Sequence, residues 1–158
     1  MSNISDVIEQ YLKNILHAKG KNMIEIKRNE IAERFQCVPS QINYVINTRF
    51  TAERGYMIES KRGGGGYIRI FRIEHQNESE LINELIKLIN PKVDQQAAED
   101  VLERLLEKKV ITKREKQIIS SAIDRNTLAF KLPFRDEVRA RILTAILNTL
   151  RYSREGGD

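Results

Sequence analysis

Four consecutive glycines, Gly63–Gly66, lie between a basic pair, Lys61 and Arg62, and the run Tyr67-Ile-Arg-Ile-Phe-Arg-Ile73. Glycine adopts positive φ freely and lets a backbone approach a surface with no Cβ in the way. Flanked by strand-like segments, such a run forms the tip of a hairpin, and the cations at its root aim it at an anion. A nucleotide-phosphate loop requires a helix and a Lys-Ser/Thr pair after the glycines. Here a strand continues through Tyr67-Ile-Arg, which argues against that reading. A bare tip with no partner gains little from glycines that each cost roughly 0.5–1 kcal/mol more than alanine to order.

The residues before the hairpin set its context. Ile4, Val7, Ile8, Tyr11, Leu12, Ile15 and Leu16 recur at helical spacing, with Ser5 as the expected N-cap and Gly20 just past the end. Met23–Ile26 is a short β-like run. Asn29 is expected to cap a second helix over Glu30–Phe35, with Ile31, Ala32 and Phe35 inward. Gln36-Cys-Val-Pro39 forms the turn, and Pro39 and Ser40 suit the start of a third helix. That helix buries Ile42, Val45 and Ile46. Tyr56–Ser60 and Tyr67–Ile73 complete the hairpin. Helix, strand, helix, turn, helix, hairpin is the order of a winged helix-turn-helix.

Charge follows the same division. Residues 1–74 carry 12 Lys/Arg against 8 Asp/Glu, and residues 75–158 carry 15 against 14. The excess concentrates around the hairpin, as expected for an electrostatic footprint on phosphates.

The second half reads as four helices. Asn77 with Glu80 opens the first, which buries Leu81, Ile82, Leu85, Ile86 and Ile89 and ends at Pro91. Asp94 caps the next, with Ala97, Ala98, Val101, Leu102, Leu105 and Leu106 as its stripe. Thr112 with Glu115 opens a third, bearing Ile118, Ile119, Ala122 and Ile123. The start of this third helix has a superficial likeness to response-regulator DNA-binding domains, but no second turn or recognition helix follows. The last helix, from about Asp136, carries Val138, Ile142, Leu143, Ile146, Leu147 and Leu150. About 75 residues is near the lower limit for an independent core, so these broad apolar faces predict a homodimer. The expected fold is mainly α with a small β-hairpin wing: a winged helix-turn-helix domain over residues 1–74 and an all-α dimerisation domain over residues 80–153.

The third helix offers the chemistry of base recognition. Gln41 and Asn43 or Asn47 suit adenine edges, Arg49 suits guanine or phosphate, and Tyr44 suits a phosphate or a thymine methyl. The full candidate DNA-binding set is Arg28, Pro39, Ser40, Gln41, Asn43, Tyr44, Asn47, Thr48, Arg49, Lys61, Arg62, Gly63, Gly64, Gly65, Gly66 and Tyr67. Arg62 is the residue expected to enter a narrow minor groove. A single cysteine, Cys37, excludes an intrachain disulfide, and with two distant histidines it leaves no zinc set. No catalytic constellation stands out, so no enzyme activity and no cofactor are expected. With no signal-peptide pattern and no apolar run near the ~20 residues a bilayer needs, the expected location is the cytoplasm.

The segments Asn29–Phe35, Pro39–Phe50 and Glu53–Tyr67 closely resemble the CtsR family, bacterial repressors of class three stress genes. The resemblance implies a homodimer that represses Clp chaperone and protease genes at a tandem direct repeat in double-stranded promoter DNA. The recognition helix would enter the major groove and the glycine-rich wing the minor groove. It further implies release on heating, phosphorylation of Arg62 by the protein-arginine kinase McsB, and delivery to ClpC-dependent proteolysis. Two other readings are a metabolite-responsive winged-helix regulator and a winged-helix adaptor that binds no DNA.

Overall fold

The computed structural model describes residues 3–18, 22–62 and 66–155, with side chains as far as Arg151. Gly63, Gly64 and Gly65 lie outside the described residues. The elements run α1 (Ile4–His17), β1 (Met23–Ile26), α2 (Arg28–Arg34), α3 (Pro39–Arg49), β2 (Tyr56–Lys61), β3 (Tyr67–Arg72), α4 (Glu78–Ile89), α5 (Gln95–Glu107), α6 (Lys113–Ile123) and α7 (Phe134–Glu155). They form two compact units, Met1–Glu74 and His75–Asp158.

In the first unit α1, α2 and α3 pack on a three-stranded antiparallel sheet of order β1-β3-β2. Met23–Ile26 is thus an edge strand of the wing sheet, a pairing that hairpin logic alone does not supply. Alternation along β3 turns Ile68 and Ile70 inward, where they meet Ile8, Leu12 and Leu16 of α1 and Ile42, Val45 and Ile46 of α3 in one core. Each fully buried aliphatic side chain contributes about 1.5–3 kcal/mol. The α2–α3 turn is closed by Gln36 at φ 51°, with Cys37 N–H donating to Ala32 C=O at 2.9 Å. That left-handed closure satisfies the last carbonyls of α2 and turns the chain into α3.

Three helix starts differ from expectation. The cap of α1 is Asn3, whose side chain accepts from Asp6 N–H while Asp6 accepts from Asn3 N–H. Ser5 lies inside the helix, 5% exposed, and accepts a hydrogen bond from Gln41. Helix α2 begins at Arg28, after Lys27, with no side-chain cap, because β1 hands the chain directly to the helix. Helix α7 begins at Phe134, immediately after Pro133.

In the second unit α4 packs on α7 and α5 on α6. Asp94 and Thr112 cap their helices as expected, the latter in a reciprocal box with Glu115. Asn77 caps α4, but Glu80 reaches past it to Gln76 N–H. The expected stripe of α7 divides. Leu143 and Leu147 are fully buried, whereas Ile142, Ile146 and Leu150 are only partly so. Arg139 is 1% exposed: its Nε donates to Ile123 C=O, and its Nη1 donates to Val93 C=O and to Asp136. It ties the loop before α5 and the end of α6 to α7. Among the described residues no helix is long and apolar enough to cross a membrane.

Candidate nucleic-acid interface

Proline at the first position of α3 costs no hydrogen bond and starts the helix with its apolar side down. Burial of Ile42, Val45 and Ile46 turns Ser40, Asn43, Tyr44, Asn47 and Thr48 to solvent, with Tyr44 54% exposed. A bare helix face of this width fits a major groove. Asn43 Oδ1 accepts from Arg28 Nε at 2.5 Å, so the first turn of α2 and the middle of α3 present one joined polar surface. Thr48 Oγ1 donates to Tyr44 C=O at 2.7 Å.

Two residues of the expected set face elsewhere. Gln41 Nε2 donates to Ser5 Oγ at 2.7 Å, and Arg49 Nη1 donates to Asp6 at 2.8 Å and Glu9 at 2.6 Å. The hydrogen bond from Arg49, then that from Asn3 N–H, hold the Asp6 carboxyl below its ordinary range. Burial pushes Glu9 upward, but hydrogen bonds and charges from Lys13 and Arg49 outweigh it and leave that carboxyl lowered as well.

The wing is set by register. Lys61 pairs with Tyr67, leaving residues 62–66 as the connection between β2 and β3. Lys61 and Arg62 are exposed at its root. A Cβ at Gly66 would lie 2.4 Å from Lys61 C=O, so this position admits glycine alone without a shift of backbone. Tyr67 lies under the Arg69 guanidinium, 4.3 Å from its ring centre, and Arg69 is in turn held by Glu25 and Glu59. Tyr67 and Arg69 therefore brace the sheet.

Between the start of α2, the middle of α3 and the wing root lies a groove of about 590 Å³, lined by Lys27, Arg28, Asn29, Glu30, Asn43, Lys61, Arg62 and Gly66. Four cations and one carboxylate give it the charge that suits a polyanion. Lys27 and Asn29 were absent from the sequence-derived set. Their adjacency to Arg28 at a strand–helix junction is the signal that marks them, once β1 is known to belong to the wing sheet.

The model of the CtsR N-terminal HTH domain matches residues 3–74, and that of the CtsR C-terminal dimerization domain matches residues 77–148. The chain belongs to the CtsR family. CtsR relatives named as transcriptional regulators include one from Geobacillus stearothermophilus, 57% identical over 96% of this chain and 99% of the relative. Another, from Bacillus subtilis (strain 168), is 60% identical over 94% of this chain and 97% of the relative. A CtsR crystal structure in complex with a 26 bp DNA duplex matches with TM-score 0.89 and 57% identity, covering 95% of this chain and 99% of that one. CtsR membership puts the protein among transcriptional regulators, not enzymes.

Proposed function

We propose that the protein is a dimeric, sequence-specific repressor that occupies promoter DNA, with α3 in the major groove and the wing in the minor groove. The observation that carries this reading is the basic groove joining Arg28 and Asn43 to Lys61 and Arg62 beside the bare face of α3. The similar CtsR structure was solved on duplex DNA. Contacts fall to Ser40, Asn43, Tyr44, Asn47 and Thr48 for bases, and to Lys27, Arg28, Lys61 and Arg62 for phosphates. Dimerisation uses the second unit. There Ile118, 59% exposed, and the partly buried Ile146 and Leu150 line an apolar groove of about 340 Å³ between α6 and α7, suited to the same face of a second copy.

Family membership supports a role in stress-gene control. In this reading the protein acts in the cytoplasm and silences Clp genes at a direct repeat. Heat releases it because ordering a glycine-rich wing carries an entropic cost that grows with temperature. Arg62 is exposed at the rim of the basic groove, so phosphorylation there by McsB would replace a cation with an anion and repel the DNA backbone. Removal through ClpC completes the response. Selection from a pool of randomised duplexes tests the core of this reading. Enrichment of one repeated motif, bound by two protomers, is expected; a pool that stays random after selection refutes it.

A further inference from the structure

Helix α3 is pinned to α1 near both of its ends. In its first turn Gln41 Nε2 donates to Ser5 Oγ; in its last, Arg49 Nη1 donates to Asp6 Oδ1 and Glu9 Oε1. Ser5 is buried, and the Arg49 side chain is only 25% exposed. Glu9 is itself held by Lys13, whose Nζ lies 2.7 Å from Oε2. The apolar contacts of Ile42, Val45 and Ile46 set how deeply α3 sits, but such contacts are non-directional. The polar contacts at both ends fix its rotation and slide. A guanidinium that reads guanine turns its nitrogens toward the base edge. Arg49 Nη1 instead meets two carboxylates, whose charge repels a phosphate at that place.

We infer that Arg49 is a positioning residue, and that Ser5, Asp6 and Glu9, outside the helix-turn-helix, set sequence preference by holding α3 in register with the bases. This rests on the DNA-reading role proposed for α3. Asn43, Tyr44 and Asn47 ride on that register, so a small rotation of α3 misplaces all three together.

The test uses the full chain, the duplex that the wild type selects and a scrambled duplex, with affinities measured across a salt series. Arg49→Gln, and separately Asp6→Asn with Glu9→Gln, lower the ratio of the two affinities by about fivefold or more, the cost of one misread base pair. The salt slope of Arg49→Gln stays that of the wild type. Combining all three substitutions adds little, as for groups in one network. Arg49→Lys keeps the charge and one carboxylate contact, falls between the two, and carries the test if the glutamine variant does not fold. A slope lowered by about one with the ratio intact makes Arg49 a phosphate contact and overturns the inference. A carboxylate double variant with undiminished ratio overturns it too. A wild type that shows no preference removes the reading role of α3 itself, a separate and recognisable failure.

Discussion

At Gly66 the constraint on the wing is one of atoms. An added Cβ meets Lys61 C=O at 2.4 Å, a backbone atom that cannot swing aside as the end of a side chain can. Gly66→Ala therefore forces the Lys61–Tyr67 pair apart. A loss of about 1–3 kcal/mol in chemical denaturation is expected, together with loss of amide protection at Tyr67; unchanged protection contradicts this account of the turn. Residue-scale roles were unevenly legible in the sequence. Pro39 and the Thr112–Glu115 box announce themselves, because their effect is confined to one turn of helix. Arg139 does not: an arginine in a helical pattern reads as surface, and its burial is made tolerable by the Asp136 carboxylate one turn away together with the carbonyls of Ile123 and Val93, brought from two other segments. The same holds for Ser5, whose hydroxyl is claimed by a glutamine 36 residues away.

At the scale of elements, the pairing of α1 with α3 has an electrostatic component with a defined pH window. Asp6 and Glu9 both have carboxyl groups lowered by folding. Their contribution is complete above the ordinary carboxylate range and is lost as pH falls through the folded values. The difference in melting temperature between wild type and Arg49→Gln is thus expected to be full near neutrality and to close below about pH 4. A difference that persists undiminished in acid assigns Arg49 a packing role instead. Among the described residues, hydrophobic period located all seven helices and both hairpin strands. It left β1 without a partner and missed the α1–α3 clamp, because neither a three-stranded register nor a helix crossing is encoded in local spacing.

For the whole molecule, the two units divide the labour by charge and polarity. The larger net positive excess lies on the first, where the groove of Lys27, Arg28, Lys61 and Arg62 gathers four cations. An apolar groove remains on the second, between α6 and α7. Ile118→Glu puts a charge into that groove without touching the buried Ile119 and Ile123. Sedimentation is expected to shift from dimer toward monomer, with the helical content retained; a dimer of unchanged strength assigns the contact to another face. The division into a winged unit and a helical unit was legible from charge distribution and periodicity, whereas the split of the α7 stripe into a buried and a partly buried row was not. Ile142 and Ile146 are as apolar as Leu143 and Leu147, and only the tertiary packing of α7 separates the partly buried row from the buried one.

The central claim, that the basic groove and wing hold a nucleic-acid backbone, is tested most directly by duplex binding across a salt series. Wild type is compared with Lys27→Ala and Arg62→Ala. Affinity of the wild type is predicted to fall steeply with salt, and each variant to weaken binding and reduce the logarithmic slope by roughly one. A slope near zero, or variants that leave it unchanged, would contradict the account.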